Sequence, residues 1–201
     1  MKSGQRRAAI VESAIHLFAE KGFRGTTTRE LAGALGVTEP VLYQHFRAKQ
    51  DLYTAIIEAK TSAAGTYTQR FQELAETGDD RAFFTALGDL VLETFESDPE
   101  LMRLLLYSSL ERHQLSDLFF DSVVAGFLKL VAGYIRRRIR CGAFSKINPD
   151  IAARGLIGMF HYHGLTDMLH PGKLGKTNRG RLVEEIVSLF LSGILLQAKD
   201  N

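Results

Sequence analysis

The sequence predicts an all-α protein of about nine helices, and three observations carry that prediction. Apolar residues recur at three- and four-residue spacing along nearly the whole chain. Strand-type alternation is almost absent. Helix caps and stops punctuate the chain at helix-length intervals, as at Thr27-Thr28-Arg29-Glu30, Asp98-Pro99-Glu100 and Asn148-Pro149-Asp150. With 201 residues there is room for one large domain or two small ones with a real core. Cys141 is the sole cysteine, which excludes an internal disulfide framework and fits a reducing compartment. The N-terminus lacks a continuous apolar run of the signal-peptide kind. The most apolar segment, 182–196, contains Glu184 and Glu185 and is too short to span a bilayer. A cytoplasmic, soluble protein is expected.

The first helix is expected over about residues 5–21, with Ile10, Ala14, Leu17 and Phe18 on one face. Gly22 is placed to end it in a left-handed conformation, letting Phe23 fold back on Phe18. Thr27 and Glu30 have capping-box spacing and open a second helix that buries Leu31, Ala32 and Leu35 and stops at Gly36. Thr38 is expected to cap a third helix of about two turns, packing Leu42 and Phe46 inward. A long fourth helix follows over about 49–76, with a break at Thr77-Gly78-Asp79-Asp80. Further helices are expected at about 80–96, 99–110, 116–141, 149–169 and 178–198, the last after the Gly/Lys-rich loop 171–180.

Helix two, a short glycine-containing turn and helix three form a helix-turn-helix pattern. Opposite the Leu42/Phe46 stripe lie Pro40, Gln44 and Arg47, a composition suited to an outward face. Charge supports this. Residues 1–50 carry eight Lys or Arg and four Glu, a formal +4, against −2 for the remainder of a chain whose total is +2. A basic head joined to a mildly acidic body suits contact with a polyanion.

Other clusters carry less. Arg136–Arg140 is read as the solvated end of a helix, where cations offset the negative end of the dipole. His163, Asp167 and His170 share a helix face at i, i+4 and i+7, but without a second cluster no metal site is assigned. There is no nucleophile elbow, HExxH, P-loop or paired carboxylates on one face, and Cys141 sits at a helix C-terminus, where the dipole disfavours the thiolate. No enzyme and no cofactor are expected. Helix 178–198 is apolar nearly all round, more than one core face needs, and Gly155 and Gly158 in the preceding helix allow close backbone approach. Two such helices from each of two subunits would make a four-helix interface, with Ile151, Gly155, Gly158, Val183, Ile186, Val187, Phe190 and Ile194 as its candidate residues.

The segments Phe18-Ala19-Glu20-Lys21-Gly22-Phe23, Thr26-Thr27 with Arg29-Glu30-Leu31-Ala32, Gly36-Val37-Thr38, Leu42-Tyr43-Gln44-His45-Phe46, and Lys49 with Asp51-Leu52 together resemble the tetracycline-repressor (TetR) family of bacterial transcription regulators. The resemblance spans about residues 8–60 and is architectural beyond that. It implies a helix-turn-helix DNA-binding domain at 1–48 and a helical effector-binding and dimerisation domain at 49–201. A homodimer would bind a near-palindromic operator, most simply as a repressor released by a small effector. Thr27, Thr28, Thr38, Tyr43, His45 and the amide end of helix four at Lys49 would meet the DNA backbone. Glu39, Pro40, Val41 and Gln44 would face base edges in the major groove.

The resemblance also implies an effector cavity. Its candidate lining is Tyr67, Phe71, Phe84, Met102, Leu106, Tyr107, Phe120, Phe127, Met159, Phe160 and His163, with His113 as a further polar group, which points to a hydrophobic or aromatic effector. Two departures from the family pattern stand out. Glu39-Pro40 replaces a pair such as Lys-Gly, and Ala48 stands where a serine often caps helix four, at a cost of about 1 kcal/mol. The rival reading is a ligand-binding or interaction protein whose head is impaired by Glu39-Pro40.

Overall fold

The computed structural model describes residues 3–61, 64–112, 114–175 and 177–195. Among the described residues eleven α-helical segments succeed one another: α1 (Ser3–Gly25), α2 (Thr28–Ala34), α3 (Glu39–His45), α4 (Lys49–Thr61), α5 (Ala64–Thr77), α6 (Asp80–Ser97), α7 (Pro99–Leu110), α8 (Gln114–Phe119), α9 (Ala125–Arg140), α10 (Pro149–Leu169) and α11 (Arg179–Ile194). A π-helical turn, Phe120–Val124, joins α8 to α9. No strand occurs among the described residues; one isolated bridge pairs Phe144 with Leu195. The all-α expectation holds. The higher count arises because the helix expected at 116–141 is interrupted by the π turn, and because positions 62–63, within the expected fourth helix, lie outside the described residues. His113 and the end of the last expected helix beyond Leu195 lie outside them too.

Two compact units are present. The first comprises Met1–Ala64 and Asp98–Val123, the second Gly65–Ser97 and Val124–Asn201. In the first, α1 packs chiefly along α7. Its core gathers Ile10, Ala14, Ile15 and Phe18 of α1, Leu31 of α2, Leu42 and Phe46, Leu52, Tyr53 and Ile56 of α4, and Leu101 and Leu104 of α7. The helix stops behave as their residues require. Gly22 interrupts α1 at φ 72°, and Phe23 then stacks on Phe18 with ring centroids 5.8 Å apart. Residues 23–25 resume helical geometry, so α1 runs past the expected stop at 21. The capping box forms in full: Thr27 Oγ1 accepts from the Glu30 N–H at 3.2 Å, and Glu30 accepts from the Thr27 N–H at 2.8 Å.

The second unit is a layered helical bundle in which α6 packs on α10 and α11, and α10 on α9. Aromatic rings fill its core. Phe83 stacks on Tyr134 at 3.9 Å, Phe71 meets Phe83 at 5.5 Å, and Phe84 meets Phe190 at 5.2 Å. Gly88 and Gly164 let helices approach so closely that a Cβ would lie 2.6 Å from Phe160 and 2.4 Å from Phe95 respectively.

One reading of the arginine-rich end of α9 is corrected. Arg138 is mostly buried rather than solvated, and its Nε and Nη2 each donate to the Asp80 carboxylate at 2.8 Å. Tyr134 donates its hydroxyl to Asp80 Oδ1 at 2.6 Å, and burial, reinforced by Asp80, raises its phenol above the ordinary value. Arg137 donates to the Ala75 carbonyl. A run of like charges does not reveal that one of its members has a buried partner 58 residues away.

Among the described residues one helical run, Ser116–Arg140, with mean hydropathy 1.7 over its most apolar window, is long and apolar enough to cross a bilayer by length and composition alone. Its residues Val131, Ala132, Tyr134 and Ile135 are buried in the second unit's core.

Candidate nucleic-acid interface

The first unit positions two short helices by a turn that its residues dictate. Gly36 takes φ 63°, the Val37 N–H returns to the Ala32 carbonyl at 3.0 Å, and Thr38 adopts the extended conformation of an N-cap. The expected side-chain cap does not form. The Val41 N–H donates instead to the Thr38 carbonyl at 3.0 Å, and Pro40 has no N–H to offer, so the exposed Thr38 hydroxyl makes no cap hydrogen bond. Leu42 and Phe46 are buried, while Pro40, Tyr43, Gln44 and Arg47 are exposed. Tyr43 is 46% exposed, far more than a ring that merely packs.

Glu39 turns back on α2. Thr28 Oγ1 donates to its Oε2 at 2.7 Å, and Arg29 Nε lies 3.9 Å from its Oε1. The carboxylate at the start of α3 is therefore partly neutralised within the unit, and the Thr28 hydroxyl is occupied by it. Arg29, part of the motif but not among the expected contacts, is 91% exposed, on the outer side of α2 beside Thr28 and Glu39. Its signal in the sequence was its place in the first turn, off the Leu31/Ala32 face. Val41 and His45 are half-buried on the flanks of α3.

Lys49 also turns inward. Its ammonium donates to the Phe23 and Thr26 carbonyls, the latter at 2.7 Å, and sits 4.0 Å over the Phe23 ring. Burial lowers its pKa from the ordinary lysine value. The amide end of α4 is supported from within: the Ala48 N–H donates to Asp51 at 3.0 Å, half of a capping box despite the missing serine. On the other side, Glu30 receives Lys21 at 2.6 Å as well as the Thr27 N–H and hydroxyl, and these hold its carboxyl at about 2. Thr26, buried, donates its hydroxyl to the Gly22 carbonyl at 2.8 Å and so closes the end of α1.

The remaining candidates distribute unevenly. Phe71, Phe84 and Phe160 are fully buried core rings of the second unit, Phe127 packs on Phe71 at 5.2 Å, and Tyr67 is exposed. Met102, Leu106, Tyr107 and Phe120 belong to the first unit. Met159 packs partly against that core, and Met159 and His163 with Gly155, Gly158, Tyr162, Ile186 and Leu189 line an open groove of about 430 Å³ along α10 and α11. Of the interface candidates, Ile151, Gly155 and Gly158 are exposed, Phe190 is half-buried against Phe84, and Val183, Ile186, Val187 and Ile194 are buried in the second unit's core. Tyr162 and Leu189, 60% and 68% exposed and outside the expected set, complete the outer apolar face. No group of three potential metal ligands occurs among the described residues, and Asp167 accepts from the Gly172 N–H instead.

The geometry is that of a helix-turn-helix head, and known proteins agree. Residues 10–56 match the model of bacterial regulatory proteins, tetR family. Over 160 residues the chain is 29% identical to the HTH-type transcriptional repressor KstR2 of Rhodococcus jostii, covering 77% of this chain and 76% of that protein. Over 63 residues, 31% of this chain and 29% of that one, it is 40% identical to the tetracycline repressor protein class C of Escherichia coli. A solved transcriptional regulator from Saccharomonospora viridis, in complex with choline, shares the fold with TM-score 0.75 over 97% of this chain and all of that one, at 19% identity. The match therefore makes residues 10–56, which carry the turn and both short helices, a helix-turn-helix segment of the tetR family of bacterial regulatory proteins.

Proposed function

We propose that the protein is a cytoplasmic, ligand-responsive repressor that binds a near-palindromic operator as a homodimer and is released by a small hydrophobic effector. The observation that carries the DNA-reading part is the outward face of α3. Pro40, Tyr43, Gln44 and Arg47 are exposed on a helix whose opposite side is anchored by Leu42 and Phe46. Gln44 is suited to pair with adenine, while Tyr43, the Thr38 hydroxyl and Arg29 are suited to backbone phosphates. We assign operator reading to 1–48 and effector response and dimerisation to 49–201. The outer face of α10 and α11, with Ile151, Gly155, Gly158, Tyr162 and Leu189, supports pairing with a second copy, since a Cβ at either glycine would meet nothing within 4 Å of its own chain. A dimer would set two α3 helices about 34–36 Å apart in successive major grooves. The relatives support an effector: KstR2 is named a repressor, and the Saccharomonospora regulator was solved with choline.

The test is selection of bound duplexes from a random pool by the purified full chain at near-physiological salt. An enriched inverted repeat is expected, and the selected site then serves to screen hydrophobic ligands for release. Absence of enrichment from a folded dimer would favour the rival, a ligand-binding protein with an impaired head.

A further inference from the structure

The loop that carries the chain from α1 to the N-cap of α2 is gripped from two sides by side chains far away in sequence. Just past the Gly22 break in α1, the amides of Phe23 and Arg24 each have an acceptor from far away in sequence. Glu111, the residue that ends α7, supplies it: Oε2 accepts from the Phe23 N–H at 3.2 Å and Oε1 from the Arg24 N–H at 3.3 Å. On the carbonyl side of the same segment stands the Lys49 ammonium, holding the Phe23 and Thr26 carbonyls. A carboxylate thus fixes the donors and an ammonium fixes the acceptors of one five-residue turn. Its next residue is Thr27, whose capping box starts α2 and so sets the placement of α2 and α3.

Two backbone features converge on this clamp. A Cβ on Gly22 would lie 2.6 Å from Glu111 Oε1, and φ there is 72°, so only glycine lets the carboxylate in. Arg112, immediately after Glu111, has φ 52°, the one non-glycine positive φ among the described residues. The chain accepts a disfavoured conformation where α7 delivers its carboxylate. Simple loop capping explains the two hydrogen bonds, but not why the cap comes from α7. That helix lies beyond the sequence of the head, in the part to which effector response is assigned above.

We propose that Glu111 is a positioning residue for the DNA reader: through the Phe23 and Arg24 amides it ties the last turn of α7 to the loop that sets α2 and α3. A shift of that turn withdraws the carboxylate and loosens the reader, so α7 becomes a lever on operator affinity. This rests on the operator reading above. Electrostatics alone predicts the opposite sign, because deleting a carboxylate from a head that meets a polyanion strengthens binding. The two accounts therefore separate cleanly.

The experiment uses the full chain with Glu111→Ala, Glu111→Gln, which keeps one acceptor oxygen, and Arg112→Gly, which removes the strain and keeps the clamp. Hydrogen exchange is read at the Phe23 and Arg24 amides in the free protein, and affinity is read on both the selected operator and a random duplex. Expected are about tenfold faster exchange at those two amides in Glu111→Ala with the Leu52 and Ile56 amides unchanged, and about tenfold weaker operator binding with random-duplex binding unchanged or tighter. Glu111→Gln should fall between, and Arg112→Gly should match the wild type. Operator affinity that stays or rises in Glu111→Ala, or a loss equal on both duplexes, overturns the proposal. If the wild-type protein selects no duplex, the operator reading has failed on its own. The exchange arm then decides the clamp, and unchanged protection at Phe23 and Arg24 refutes it.

Discussion

Asp80→Ala is expected to destabilise the second unit by an amount that its partners specify. The carboxylate accepts two hydrogen bonds from the Arg138 guanidinium at 2.8 Å and one from the Tyr134 hydroxyl at 2.6 Å, and is itself 14% exposed. Removing one partner of a buried ion pair costs about 3–5 kcal/mol. Arg138 keeps 23% exposure and water can reach part of its fork, which reduces the cost to about 2–3 kcal/mol. For a chain of this length that is a fall in Tm of about 4–12 °C. Urea unfolding of the purified protein, followed by helical circular dichroism, measures the loss. Adding Arg138→Met removes the stranded guanidinium, so the double variant should regain about half the loss or more. An Asp80→Ala protein within about 0.5 kcal/mol of wild type would refute the reasoning, as would a double variant less stable than the single one.

Gly88→Ala should cost about 1–3 kcal/mol, because its Cβ would meet the buried Phe160 ring at 2.6–2.7 Å. Gly133→Ala on α9, with nothing within 4 Å, should gain up to about 1 kcal/mol in the same urea assay. Glu30 should titrate at about 2 by carboxyl NMR. Because its folded value is depressed, its contribution to the α2 cap is present above the unfolded value near 4.5 and is lost as pH falls through about 2; a midpoint above about 4 would exclude the Lys21–Glu30–Thr27 network in solution. In duplex selection, Tyr43→Ala should weaken binding to all sequences, whereas Gln44→Ala should change preference at one base position of the half-site. An unchanged consensus with Gln44→Ala would mean that α3 is turned differently on the DNA.

The head was legible in the sequence because its instructions are local. Gly22, the Thr27–Glu30 box, Gly36 and the Leu42/Phe46 pair each act within one or two turns, and each does in the structure what its chemistry requires. What the sequence hid was long-range pairing. Nothing near Glu39 announces that Thr28 will bind it, nothing near Lys49 announces the Phe23 and Thr26 carbonyls, and the Glu111 contact spans 88 residues. Periodicity failed differently on α11. A helix apolar on nearly every side offers two candidate inward faces, and only the packing on α6 and α10 shows that Val183, Val187 and Ile194 fill the core while Leu189 stays outside. The expected cavity lining met the same difficulty, since Phe71, Phe84 and Phe160 have the composition of a pocket wall and are the filling of a core.

The inward turn of Lys49 separates two quantities usually taken together, the strength of DNA binding and its response to ionic strength. Each phosphate neutralised by a cation releases condensed counterions, and log affinity falls with log salt at a slope of about 0.9 per phosphate. Lys21 is held by Glu30 and Lys49 by two backbone carbonyls, so neither ammonium is free to release ions on binding. The salt slope of the head therefore belongs to its outward arginines, Arg29 and Arg47 among them. Replacing Lys49 with methionine would loosen the turn that sets α2 and weaken binding at every ionic strength, while the plot of log affinity against log salt kept its gradient.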